Sequence, residues 1–238
     1  MTKALVAALD LQPTDTVVEL ASGTGELAEA ISGRVARLIA TDLSPAMVEA
    51  ARRRGVQNAE HRVMDMQALD LPGGSVDAVA CRFGYMLVPD PLLALRETRR
   101  VLRPGGRLAF ATWAPAKRNP WATAYGPVLI ERGVLEPPRP GEPGQFALGD
   151  PEVLIELVRS AGFGDAAVEE VAVEYRFSDW GDYRRLITGL AASLRETLDS
   201  LDDETRAEVD HAARERIARH RTADGYLLPG VALVTRAS

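Results

Sequence analysis

The residues of this 238-residue chain that carry the most chemistry are crowded into Glu19-Leu20-Ala21-Ser22-Gly23-Thr24-Gly25. Glycines at 23 and 25 take away the Cβ atoms that would hold a ligand off the backbone. A helix starting directly after them offers unpaired N–H groups with partial positive charge. Such a loop favours anions, and Gly23-Thr24-Gly25-Glu26-Leu27-Ala28 with Asp42 about 20 residues on also fits the dinucleotide fingerprint G-x-G-x-x-G/A. Glu19 argues the other way: a carboxylate just ahead of the glycines repels a pyrophosphate and attracts a cation. Asp42 adds a second acid, and one carboxylate can accept hydrogen bonds from both hydroxyls of a ribose.

These residues need strands to deliver them. Val17 to Leu20 reads as a buried strand that breaks over the glycine turn into a helix from Glu26. Leu38 to Asp42 is a second strand; Ser44-Pro45 then supplies an N-cap and a first-turn proline for a helix over 46–54, closed by Gly55. Asp90-Pro91 and Asp150-Pro151 repeat that device ahead of helices over 91–102 and 150–161. Further strands are expected over 59–64, 76–82, 107–113, 167–177 and 226–236, after a short N-terminal helix over 4–11. Two amphipathic helices are expected over about 182–198 and 202–221. Strands alternating with helices predict an α/β fold with a doubly wound, mostly parallel sheet, organised as a single domain over 1–238. The proline-rich stretch 114–149 reads as a surface connection.

Composition narrows the class of function. A net charge of −6 argues against a nucleic-acid partner, which needs a basic stripe to meet phosphates. No apolar run approaches the roughly 18 residues of a membrane span. The N-terminus has neither a full hydrophobic region nor a cleavage site, and the single Cys81 cannot form an internal disulfide, so a cytoplasmic location is expected. No spacing of metal ligands stands out, and no metal is expected.

Glu19 followed by Ala21-Ser22-Gly23-Thr24-Gly25, then Asp42-Leu43-Ser44-Pro45-Ala46-Met47, Leu69-x-Leu71-Pro72-x-x-Ser75-Val76-Asp77 and Arg103-Pro104-Gly105-Gly106, resembles the class I S-adenosylmethionine-dependent methyltransferases. The likeness is greatest to the ubiquinone and menaquinone biosynthesis type and related small-molecule enzymes, and it runs over about residues 13–113. It implies a seven-stranded Rossmann-like sheet whose last strand is antiparallel. The segment 179–224 is then a helical insertion into the final hairpin, serving as a lid or a dimer element, so that a homodimer is one expectation.

The cofactor implied, S-adenosylmethionine, carries an ammonium and a sulfonium and no phosphate, which suits Glu19. By resemblance its binding residues are Glu19 at the methionine end, Ala21, Ser22, Gly23 and Gly25 in the loop, and Asp42 on the ribose. Leu43 and Met47 fall beside the adenine, Asp65 and Met66 on its edge, and Arg82 and Phe83 at the end of the fourth strand. Tyr85, Trp113 and Tyr125 are candidates to face the acceptor. The chain has few residues ahead of its first strand to build the helices that close the acceptor site in such enzymes.

Methyl transfer is an in-line displacement from an excellent leaving group, so positioning, at about 7–11 kcal/mol, outweighs a general base at about 10²- to 10⁴-fold. No base stands out, and no catalytic residue is assigned. The expected activity is methyl transfer to an O- or C-nucleophile of a small lipophilic or aromatic acceptor. Two alternatives stay open: an NAD(P)-dependent oxidoreductase, and a catalytically silent S-adenosylmethionine-binding module. Against the first, no Tyr-x-x-x-Lys pair is present, the lysines being Lys3 and Lys117.

Overall fold

The computed structural model describes residues 1–238, the Ala192 side chain excepted. The strands are β1 (Thr16–Leu20), β2 (Arg37–Asp42), β3 (Ala59–Val63), β4 (Val76–Arg82), β5 (Leu102–Trp113), β6 (Ala166–Phe177), the two-residue β7 (Arg221–Thr222) and β8 (Gly225–Ala237). The sheet runs β3-β2-β1-β4-β5-β8-β6, with β7 attached to β8. β1 to β5 are parallel and β8 runs antiparallel to β5, which is the mostly parallel sheet with an antiparallel last strand that the motifs implied. The order reverses between β1 and β4, and in open α/β sheets ligands bind beyond the strands' carboxyl ends at such a switch point.

The residues divide into two compact units. The first, 1–114 with 140–171 and 232–238, holds β1 to β5, the end of β8 and the helices α1 (Thr2–Ala8), α2 (Glu26–Ser32), α3 (Pro45–Arg54), α4 (Pro91–Val101) and α6 (Pro151–Ser160). Its core sets Leu5 and Leu9 of the N-terminal segment and Leu27 and Ile31 of α2 against Val17, Leu38 and a patch of alanines, Ala78, Ala80, Ala109 and Ala111. Side chains this small leave room for α1 to pack on the β4–β5 surface. The expected caps form: Ser44, Asp90 and Asp150 each accept a hydrogen bond from a first-turn N–H of the helix that follows. Two buried carboxylates tie strands at their amino ends. Asp77 accepts from the Thr16 N–H at 2.7 Å and pairs with Arg103, and Asp15 pairs with Arg107.

The second unit, 115–139 with 172–231, holds α5 (Tyr125–Glu131), α7 (Trp180–Leu190), α8 (Ala192–Ser200), α9 (Asp203–Ile217), β7 and the remaining parts of β6 and β8. The sequence suggested only a connection over 114–149, yet 116–131 holds two 3₁₀ turns and α5, and Trp121, Tyr125, Val128 and Leu129 are buried there. The aromatic and aliphatic spacing was hidden by the flanking prolines. The helix expected over 182–198 is also two helices, with Ala191 extended between them just after Gly189, a poor helix former. On α9 the stripe Val209, Ala213, Ile217 is buried at a four-residue period, and Arg132–Glu208 and Arg216–Glu131 pair across α5 and α9.

Candidate functional site

Glu19 lies in the middle of the sheet, paired in register with Ala40 of β2 and Ala80 of β4, and is 1% exposed. Burial pushes its carboxyl up to about 8; Arg82 pulls it down, Asp42 pushes it further up, and the Ala28 N–H in the first turn of α2 pulls it down. Its Oε2 is buried without a hydrogen-bond partner. An unsatisfied carboxylate oxygen costs about 1–3 kcal/mol or more, and a cation brought beside it would remove that cost.

Beyond Glu19 the chain turns sharply. Ala21 (φ 51°), Gly23 (φ 54°) and Gly25 (φ 86°) are all left-handed, and Gly25 is the N-cap of α2. A Cβ on Gly23 would meet nothing within 4 Å, so the loop surface there is open, whereas one on Gly25 would come within 3.3 Å of the Ala51 Cβ on α3. The loop is held by its neighbours. Ser22 N–H donates to the Thr41 carbonyl at 2.8 Å, and Arg54 Nε donates to the Thr24 carbonyl at 2.9 Å. The Ser22 hydroxyl is buried without a partner.

Asp42 ends β2 and joins two loops: Oδ2 accepts from Gly23 N–H at 2.8 Å and Oδ1 from Ser44 N–H at 2.9 Å. Each oxygen keeps a lone pair for a further donor, so the carboxylate is oriented and still able to bind. Beside it Leu43 is 68% and Met47 42% exposed, an uncovered apolar surface next to a fixed acid. Asp65 follows β3 and accepts from Gln67 N–H at 2.8 Å, which fixes its turn; Met66 is buried.

At the end of β4, Arg82 pairs with Glu26 of α2 at 2.6 Å and donates from Nη1 to the Thr2 hydroxyl of α1 at 3.3 Å. The hydrogen bond that Arg82 Nη2 donates to Glu26 holds the Glu26 carboxyl below the usual carboxylate range. Phe83 is left-handed (φ 65°) and stacks on Trp113 of β5, ring centroids 4.2 Å apart and nearly parallel. A bulky residue held there costs of order 1–3 kcal/mol, and such strain concentrates at binding sites. Gly84 was not singled out by sequence. A Cβ there would lie 2.6 Å from the Cys81 sulfur and 2.7 Å from the Ala21 Cβ, so only glycine lets β4's exit approach β1's. Arg54, which clips the loop from α3, was missed as well; a lone arginine on a basic helix end gives no sequence signal.

The structure therefore brings Glu19, Ala21, Ser22, Gly23, Gly25, Asp42, Leu43 and Met47 to the carboxyl ends of β1 and β2, with Asp65 and Met66 at β3 and Arg82 and Phe83 at β4. Two acceptor candidates fall elsewhere. Tyr85 is fully buried, its hydroxyl 2.5 Å from the Thr98 hydroxyl and its ring edge-on to Phe110, which leaves no face for a ligand. Tyr125 belongs to the second unit, is 1% exposed and donates to Asp210 Oδ1 at 2.6 Å. Burial and that acid raise its phenol far above the ordinary value, so it stays protonated and is no base. Trp113 is buried beneath Phe83. Cys81 is a buried thiol that burial pushes up to about 12.

Residues 18–110 match the family model described as "Methyltransferase domain". A demethylmenaquinone methyltransferase from Mycolicibacterium vanbaalenii is 32% identical over 184 residues, 76% of this chain and 75% of that one. A demethylmenaquinone methyltransferase from Thermus thermophilus is 35% identical over 128 residues, 52% of this chain and 58% of that one, so the chain spans little more than half of this relative. Among solved structures, YcgJ from Bacillus subtilis has a similar fold, with a TM-score of 0.65 at 18% identity over 99% of this chain and 96% of that one. No helix among the described residues is long and apolar enough to cross a membrane. The chain belongs to the class I S-adenosylmethionine-dependent methyltransferases, related to the ubiquinone and menaquinone biosynthesis type.

Proposed function

We propose that this enzyme transfers a methyl group from S-adenosylmethionine to an O- or C-nucleophile of a small, lipophilic or aromatic acceptor at the carboxyl edge of β1, β2 and β4. The observation that carries the reading is the buried, partnerless Oε2 of Glu19 beside an open glycine loop. A cation beside that oxygen favours the ionised carboxyl and draws off its proton, whereas a phosphate there gains nothing from ionising it, which also speaks against the oxidoreductase alternative.

In this reading Glu19 takes the ammonium end of the cofactor, while Arg82, held by Glu26 and Thr2, faces its carboxylate. Asp42 accepts from the ribose hydroxyls with its remaining lone pairs, and the exposed Leu43 and Met47 cover the adenine. Asp65 and the Met66 backbone meet the adenine edge. When bound, the cofactor supplies an electrophilic methyl on a sulfonium. The protein's task is to orient it and to exclude water, and no side chain at this edge is arranged as a general base.

The relatives named demethylmenaquinone methyltransferases support a quinol-like acceptor, and the Phe83–Trp113 stack offers it an aromatic neighbour. The excess of acidic residues supports a small-molecule rather than a nucleic-acid substrate, and a chain whose single Cys81 can form no internal disulfide fits a reducing, cytoplasmic setting. Incubation with labelled S-adenosylmethionine and a panel of phenols and quinols, read by mass spectrometry, tests it. Label appearing in a quinol or phenol supports the assignment, and cofactor binding without transfer to any member favours the silent binding module.

A further inference from the structure

The second unit contains a cavity of about 380 Å³ that the methyl-transfer chemistry does not use. It opens where the start of α7, the end of α9 and the β7–β8 hairpin meet, and its walls include Asp179, Trp180, Arg214, Arg221, Asp224 and Tyr226. Its floor is fixed. Gly225 has φ 127°, and a Cβ there would overlap the Phe177 carbonyl oxygen, so the hairpin is seated against the end of β6 as only glycine permits.

The charges in this cavity are arranged for one anionic group. Arg214 and Arg221 are exposed, come from different elements, and have no ion-pair partner among the described residues. Most other arginines of the unit are spent: Arg132 pairs with Glu208, Arg184 with Asp210, Arg185 with Asp182 and Arg216 with Glu131. Two unpaired arginines lining one cavity can bring up to ten N–H donors to a carboxylate or phosphate held there. Of the two acids in the wall, Asp179 is engaged as the N-cap of α7, accepting from Asp182 N–H at 2.8 Å. Asp224, at the hairpin, is the other acid of the wall. Trp180 is half-buried and stacks on Tyr183 inside the unit, which fixes the indole in the cavity wall. A rigid indole next to paired arginines fits a planar apolar body bearing the anion.

We infer that the cavity between α7, α9 and the β7–β8 hairpin is a binding site for a small planar molecule with a single carboxylate or phosphate, held by Arg214 and Arg221 against Trp180. A cavity of this volume lies in the range that takes metabolite-sized ligands.

The test is a tryptophan-fluorescence titration of the full chain with benzoate and with phenyl phosphate, ionic strength held constant with chloride. Saturable change with either probe is expected, weakened about tenfold or more in R214Q and in R221Q, each of which removes one charge-assisted contact. The change should vanish in W180F, which keeps Trp113 and Trp121, and persist in R96Q, which removes an exposed arginine of α4 in the other unit. Benzoate saturating at lower concentration assigns a carboxylate, and phenyl phosphate doing so assigns a phosphate. No saturation with either probe, or equal affinity in wild type, R214Q and R221Q, overturns the inference. All four variants alter exposed or half-buried positions, and an unchanged circular dichroism spectrum shows that each is folded.

Discussion

Replacing Glu19 by glutamine should stabilise this enzyme at neutral and alkaline pH while removing its cofactor binding. The folded carboxyl titrates near 8 against an ordinary 4.5, because burial disfavours its charge. Between those values the folded state holds a proton that the unfolded state has released. Stability contributed by this group is therefore complete below the unfolded value and falls as pH rises toward 8. At about 1.4 kcal/mol per unit, the loss is roughly 3 kcal/mol by pH 7 and approaches roughly 5 kcal/mol above pH 8. Glutamine keeps the shape of the protonated acid and never ionises. E19Q and wild type should match near pH 4.5, and the variant should melt higher as pH rises, by on the order of 6–12 °C at pH 7 for a chain of this length. Thermal melts of both proteins across that range measure it. Titration with S-adenosylmethionine should show binding to wild type, with proton release below pH 8, and none to E19Q. A melting difference independent of pH would refute the buried titration, and retained binding in E19Q would refute the cationic role.

Three further outcomes are expected. Asp42→Ala frees the Gly23 and Ser44 N–H groups as well as removing the carboxylate proposed to meet the ribose, so cofactor affinity measured by calorimetry should fall at least about tenfold. Gly84→Ala drives a methyl into the Cys81 sulfur and the Ala21 Cβ, and should cost about 1–3 kcal/mol in a urea melt; no change in midpoint would mean that β1 and β4 exits can part freely. Tyr125→Phe leaves Asp210 with Arg184 as its partner and should cost about 1–2 kcal/mol in the same assay, with no shift in the pH profile of methyl transfer, because the phenol is no base.

The carboxyl edge of the sheet was readable because each of its parts has local chemistry. Glycines at 23 and 25 mark a left-handed turn, Ser44-Pro45 marks a helix start, and acids at 19, 42 and 65 close strands. What escaped depends on long-range contacts. Gly84 matters only because Ala21, more than 60 residues earlier, packs against it, and Arg54 matters only because α3 returns to the loop. Tyr85 looked available since it follows a strand at the right end of the sheet, but a 3₁₀ turn over Tyr85–Leu87 swings it inward to Thr98. The second unit was the least legible part. Its aromatic cluster joins Trp121 to Tyr175, Phe177, Trp180 and Tyr183, more than 50 residues later, and neither stretch has a motif.

Calorimetric titration of the purified chain with S-adenosylmethionine, S-adenosylhomocysteine and NADH tests the central claim most directly. Saturable binding of the first two, lost in E19Q and absent for NADH, is the predicted result. Binding of NADH without either sulfur compound would contradict it, and with it the assignment of the buried Glu19 carboxyl to a cation.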